Sequence, residues 1–148
     1  MKRNLSVSFA LAVAATLVVL IANPAYAATC NNATLTGSYG VITALGLNTP
    51  GQANAFLPLG PDIPSAVVGV VTFDGTGSFT DIHTLVVNGV IFPGLSRPGT
   101  YTVNSDCTGS MSNDHGINFN IVVVSGGTEI FGIVTNPSFT ATFDAKKQ

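Results

Sequence analysis

The stretch Gly99–Met111, GTYTVNSDCTGSM, alternates apolar and polar side chains on both sides of a short polar break. Tyr101, Val103, Cys107, Gly109 and Met111 carry odd numbers, and their even neighbours Thr100, Thr102, Thr108 and Ser110 are hydroxylated. A repeat of two places alternate side chains on opposite faces of an extended chain, so the odd set faces a core and the even set faces water. The same parity extends outward. Ile117, Phe119, Ile121 and Val123 continue it, Leu35, Gly37, Tyr39 and Val41 begin it, and Phe139, Ala141 and Phe143 end it.

Thr, Val, Ile and Phe are abundant after residue 27, with Gly and Pro at intervals of eight to twelve residues and no sustained helical period. The pattern predicts strands over 33–45, 65–74, 78–88, 90–95, 99–104, 107–113, 116–125, 128–135 and 138–145. The fold class is therefore all-β. Consecutive hairpins with one apolar face close into an antiparallel eight- or nine-stranded barrel, which removes sheet edges, and a β-sandwich is the alternative. In Val67 to Phe73, Val122 to Val124 and Ile130 to Val134 both faces are apolar. Either these strands are covered twice, or they present an outer apolar patch suited to a homo-oligomer.

The break in the quoted stretch, Asp106-Cys107-Thr108-Gly109, has a twin in Asp74-Gly75-Thr76-Gly77. In neither does Asp directly precede Thr-Gly, so the paired Asp-Thr-Gly of an aspartic protease is absent. Asp bonding forward to backbone N–H groups and Gly at positive φ make both elements turns instead. Cys30 and Cys107 are the only cysteines. An even count in an exported chain predicts one disulfide, with two buried free thiols as the alternative. Gly46 to Pro64, with four prolines, reads as a long loop in which Phe56, Leu57 and Leu59 favour a packed lid or arm.

Residues 1–27 read as a signal peptide: Lys2 and Arg3 precede the apolar run Leu5 to Ala22, and Ala25-Tyr26-Ala27 supplies the small residues of a cleavage site. The expected product is a single β-barrel domain over 28–148, secreted or periplasmic, with no membrane anchor in the mature form. It retains three basic residues, Arg97, Lys146 and Lys147, against seven acids. Without a basic patch to neutralise phosphates, nucleic acid is excluded as a partner.

Little of the remaining sequence carries chemistry. Asp81 and His83 are two apart on a predicted strand and share a face, but a metal site would need a third ligand such as His115, so no metal is assigned. Gly94-Leu95-Ser96-Arg97-Pro98 lacks the final glycine of a nucleophile elbow. No catalytic residue and no cofactor is assigned. The odd face instead places Tyr39, Phe73, Tyr101, Met111, Phe119 and Phe143 inside the barrel, as contacts for a small apolar ligand or as filled core.

The ordered strings LTGSYG (35–40), GVVTFDGTGSF (69–79), GTYTVNSDCTGSM (99–111) and VVVSGGTEI (122–130) together with Cys30 and the AKKQ end resemble a family of small secreted bacterial proteins of unassigned activity. The resemblance spans nearly all of the chain after residue 27 and implies the barrel and the export. In architecture the expected barrel is loosely similar to allene oxide cyclase and dirigent barrels, which implies apolar ligands and oligomers. The expected role is non-enzymatic binding of a small apolar ligand or a protein partner. The alternatives are a cyclase or isomerase using Tyr39, Tyr101 or His83 as its polar handle, and a structural envelope or matrix component.

Overall fold

The computed structural model describes residues 29–48, 64–137 and 139–148. The leader expected at 1–27 and most of the proline-rich stretch, including Phe56, Leu57 and Leu59, lie outside the described residues. Eight strands follow one another: β1 (Thr36–Asn48), β2 (Pro64–Asp74), β3 (Ser78–Val87), β4 (Val90–Val103), β5 (Thr108–Asn113), β6 (Asn118–Val124), β7 (Glu129–Val134) and β8 (Phe139–Lys147). Each pairs antiparallel with the next, and β8 returns to β1, so the sheet closes into a barrel. The alternation explains the wall. Odd residues Tyr39, Val71, Phe73, Phe79, Tyr101, Met111, Ile121 and Phe143 are buried inside, while Thr72, Thr80, Thr100, Thr102 and Ser110 are exposed outside.

The odd-in rule does not hold in every strand. In β7 the even residues Ile130 and Val134 are buried and the odd residues Phe131 and Ile133 are exposed. The cause lies just upstream, where Ser125, Gly126 and Gly127 all take positive φ in a short 3-10 turn and shift the chain by one position. One such shift exchanges the two faces of a strand. The apolar doubling at 130–134 is thus a phase change, with Phe131 and Ile133 left on the outside.

The strands expected at 90–95 and 99–104 are one continuous strand, which reduces nine to eight. Ser96, Arg97 and Pro98, which resemble a turn, pair in register with Ile82, Asp81 and Thr80 of β3. Pro98 is tolerated because N–H and C=O of one strand residue point to the same side, and its carbonyl accepts from Asp114 N–H at 3.0 Å. The missing donor therefore lies off the β3 ladder, where it breaks no pairing. The irregularity falls instead beside Gly94, at φ 67, where the register between β3 and β4 slips.

One end of the barrel is sealed. Cys30 and Cys107 are disulfide-bonded, with Cα atoms 5.0 Å apart. The bond holds residues 30–35 across the barrel end, where Leu35 is fully buried. Asn32 accepts at Oδ1 from Val103 N–H at 2.8 Å, and its carbonyl accepts from the Tyr101 hydroxyl at 2.9 Å. Above this plug Phe73 meets Tyr39 and Tyr101 edge-on, with ring centroids 5.3 and 5.0 Å away. Burying each such ring stabilises the fold by roughly 1.5–3 kcal/mol. Inward glycines make room for rings on neighbouring strands: Gly132 lies opposite Phe143, and a Cβ on Gly132 would overlap that ring.

The twin turns are alike in structure. Asp74 Oδ1 accepts from the N–H groups of Thr76, Gly77 and Ser78 at 2.7, 3.0 and 2.9 Å, and Thr76 Oγ1 donates to Oδ2 at 2.7 Å. The Thr76 hydroxyl, then the Ser78, Thr76 and Gly77 amides, hold this carboxyl well below its usual range. Asp106 repeats the arrangement with Thr108, whose hydroxyl and amide donate at 2.6 and 3.0 Å and lower its carboxyl likewise. The second position is left-handed in both, Gly75 at φ 80 and Cys107 at φ 68. A non-glycine residue there costs about 1–2 kcal/mol, which the disulfide offsets.

The disulfide closes a loop spanning 77 positions, for which chain entropy gives about 4.5 kcal/mol. We expect Cys30→Ser with Cys107→Ser to lower unfolding stability by about 2–5 kcal/mol in urea titrations. An unchanged midpoint would show that the sealed end holds without the bond.

A candidate ligand site in the open half of the barrel

Toward the other end the interior is not filled. A half-open cavity of about 170 Å³ lies between β1, β2, β3 and β8 on one side and β4 to β7 on the other. Its wall is mostly apolar, including Val41, Val67, Val71, Phe119, Ala141 and Phe143. A polar corner interrupts it. Asp81 and His83 are successive inward positions of β3, and Arg97 stands opposite Asp81 in register on β4.

Within this corner His83 Nδ1 lies 2.7 Å from Asp81 Oδ2, with the two side chains 10% and 21% exposed. The distance is that of a close pair, yet the buried atoms His83 Nδ1 and Asp81 Oδ1 make no well-formed hydrogen bond. Unmet polar groups of this kind are costly in an apolar enclosure, and they concentrate where ligands bind. Two other polar groups of the lining are already engaged. Thr43 Oγ1 accepts from Val67 N–H at 2.8 Å, and Asn113 Oδ1 caps its own turn by accepting from His115 and Ile117 N–H at 3.1 and 3.0 Å.

Of the residues expected inside, Met111, Phe119 and Phe143 line the cavity. Tyr39, Phe73 and Tyr101 belong to the packed, sealed half. Both tyrosine hydroxyls are used by the fold: Tyr39 donates to the Gly127 carbonyl, and Tyr101 to the carbonyls of Asn32 and Leu35. Burial raises both phenols above their ordinary range, with the Asp74 charge adding to the rise at Tyr101, so they stay protonated as donors. Neither serves as a handle for a ligand. His83 alone of the three faces the cavity. His115 instead sits beside Asp114, 3.8 Å away, and among the described residues no group of three His, Cys, Asp or Glu side chains is placed to hold a metal ion.

Arg97 is the member of the corner that sequence reasoning missed. Its signal was present, since the odd parity of Tyr101 and Gly99 carries back through Pro98 to Arg97, but Ser-Arg-Pro reads locally as a turn.

The outer wall carries its own apolar surface. Ile42, Val68, Val122, Phe131 and Ile133 are each 45% exposed or more. The register aligns Val122 with Phe131, Phe131 with Asp144, Asp144 with Ile42, and Ile42 with Val68, so Val122, Phe131, Ile42 and Val68 share one row across five strands with Asp144 as its β8 member, and Ile133 lies beside it. Among the described residues no helix is long and apolar enough to cross a membrane. No known protein family, curated protein or solved structure matches the chain.

Gly69 of β2 stands opposite His83, and a Cβ there would come within 2.6 Å of His83 Cβ and 2.7 Å of its Cα. Backbone that close cannot yield cheaply. Gly69→Ala is expected to destabilise the fold by about 1–3 kcal/mol and to move the His83 ring resonances in NMR spectra. A variant with wild-type stability and an unmoved ring would remove Gly69 from any role in seating the corner.

Proposed function

We propose that the chain is an exported binding protein that holds one small, largely apolar molecule in the open half of its barrel. The observation that carries this reading is the apolar cavity of about 170 Å³ beside a sealed core. An apolar cavity of about 150 Å³ is large enough to bind benzene, so the occupant is sized as one aromatic ring or a short branched chain. Eight-stranded barrels have room for one such ligand where side chains do not meet across the axis. The disulfide suits an oxidising compartment, and the leader expected at 1–27 is the route there. The family resemblance seen in the turn and core motifs is consistent with export and supplies no site residue.

The purified barrel should take up toluene, with NMR shifts at Val41, Val67, Phe119 and Ala141. Ala141 is buried in the cavity wall; Ala141→Leu places extra methyl groups in the space and should weaken toluene binding by about tenfold or more while leaving the fold stable, since it fills a void. Wild-type protein showing no shifts at millimolar toluene would sink the reading.

The outer apolar row favours a second reading of how the barrel is presented, as a homo-oligomer. Rows of exposed large apolar residues are uncommon on monomers. Sedimentation should find a dimer or larger, and Phe131→Lys should return it to a monomer; a wild-type monomer at about 100 µM ends the idea.

A further inference from the structure

We infer that the outer apolar row is the contact face of a two-fold dimer of this chain, in which Asp144 meets Lys146 of the partner subunit. The inference rests on the oligomer reading above and adds the symmetry of the contact and the residues that match across it. A groove of about 590 Å³ on the outer wall is lined by Ile42, Val122, Phe131, Ile133 and Asp144. Asp144 is incompletely met within it. Its Oδ1 is buried without a hydrogen-bond partner, and its Oδ2 lies 3.9 Å from Lys146 Nζ, beyond hydrogen-bond reach. Lys146 Nζ is 3.2 Å from Glu129 Oε1, but the lysine side chain is 68% exposed and can serve a second carboxylate. A carboxylate set among exposed apolar side chains calls for a cation from whatever covers the row.

The chain carries that cation beside the row. Of the three basic residues after residue 27, Arg97 lines the inner cavity and Lys147 Nζ lies 5.8 Å from the centre of the Tyr39 ring. Lys146 is the next outward position to Asp144 on β8, since Ala145 between them is buried. It belongs to a second row nearer the sealed end, formed by Val124, Glu129, Lys146, Gly40 and Val70. A two-fold axis running across the strands between the two rows lays each row on the other row of the partner. Asp144 then faces Lys146 of the partner subunit, and symmetry repeats the pair. The same operation sets Ile42, 59% exposed, over Gly40 of the partner subunit, where there is no side chain to clash. It also places Val68 against Val70 and Val122 against Val124. An axis along β8 would instead oppose Asp144 to its own copy, which like charge disfavours. Charge, shape and apolar area thus match within one patch, the condition for an isologous contact, and a second copy is the occupant indicated.

The test is sedimentation at low salt of the wild-type chain, of Asp144→Lys, of Lys146→Asp, and of an equimolar mixture of the two variants. Each variant alone brings like charges together at the centre of the contact and should raise the dimer Kd by about tenfold or more. In the mixture every lysine meets an aspartate, so dimers should return with a Kd within about threefold of the wild-type value. Gly40→Val provides a second measurement that leaves the charges alone. A Cβ at position 40 meets nothing closer than 3.7 Å in its own chain, so the monomer accommodates it. In the dimer it occupies the place of Ile42 and should raise Kd by about tenfold or more. Single variants that dimerise as tightly as the wild type, a mixture that stays monomeric, or a Gly40→Val dimer of unchanged Kd would overturn the inference, while Phe131→Lys still tests the oligomer reading by itself. A wild-type monomer at about 100 µM would overturn both and leave the row to an occupant of another kind.

Discussion

The seam between β1 and β8 is the constraint on which the rest of the molecule depends. Tyr39 pairs with Lys147 and Thr43 with Phe143 across it, and Gln148 N–H donates to the Ser38 carbonyl at 3.0 Å. Without this pairing β1 and β8 would be open edges, flanked by outer apolar side chains such as Ile42, Phe131 and Ile133 that invite strand addition. With it, the circumference is set by eight strands, and so is the space inside. Interior residues then have one decision left: whether their side chains are large enough to meet.

They decide it differently at the two ends. Around the plug, Tyr39, Phe73 and Tyr101 reach the axis and contact one another edge-on, with Leu35 and the disulfide beneath them. In the open half the inward positions include Val41, Val67, Val71 and Ala141, with a glycine at 69, and a cavity remains between them and the facing wall. The large residues there, Phe119 and Phe143, stack edge-on against each other at 5.5 Å instead of crossing the barrel. A rigid, disulfide-tied half thus supports a half with empty volume. That division is mechanically useful, because a cavity survives only where the surrounding wall cannot collapse into it.

Much of this was legible in the sequence because the pleat has a period of two and the core is one-sided. The parity running from Tyr101 to Met111 located the inner face, and the cysteine count located the staple. What was not legible arose where local chemistry and long-range pairing disagree. Ser96-Arg97-Pro98 looks like a turn until β3 is present to pair with it, so one strand read as two and Arg97 was lost from the inner face. The inversion in β7 depends on three consecutive positive-φ residues at 125–127, and only one of them, Ser125, is not a glycine. Aromatic size suggested which residues would meet a ligand, whereas in the structure the largest, Tyr39 and Tyr101, are spent on the plug. The separation of filled from hollow depends on how far each side chain reaches across the barrel, a distance that no linear pattern encodes.

Against that background the Asp81, His83 and Arg97 corner is the least economical part of the interior from the standpoint of folding alone. Three polar side chains replace apolar ones at successive inward positions of β3 and the adjoining position of β4, where Phe79 and Tyr101 show what a core-forming choice looks like on the same strands. Removing such groups from water costs several kcal/mol unless they are fully paired, and here His83 and Asp81 meet at close range with their hydrogen-bond directions unfulfilled. A fold stabilised elsewhere by a sealed core, an aromatic cluster and a disulfide can carry that cost. The sealed end supplies the stability, and the Asp81–His83 contact in the open end is a choice that packing alone does not explain.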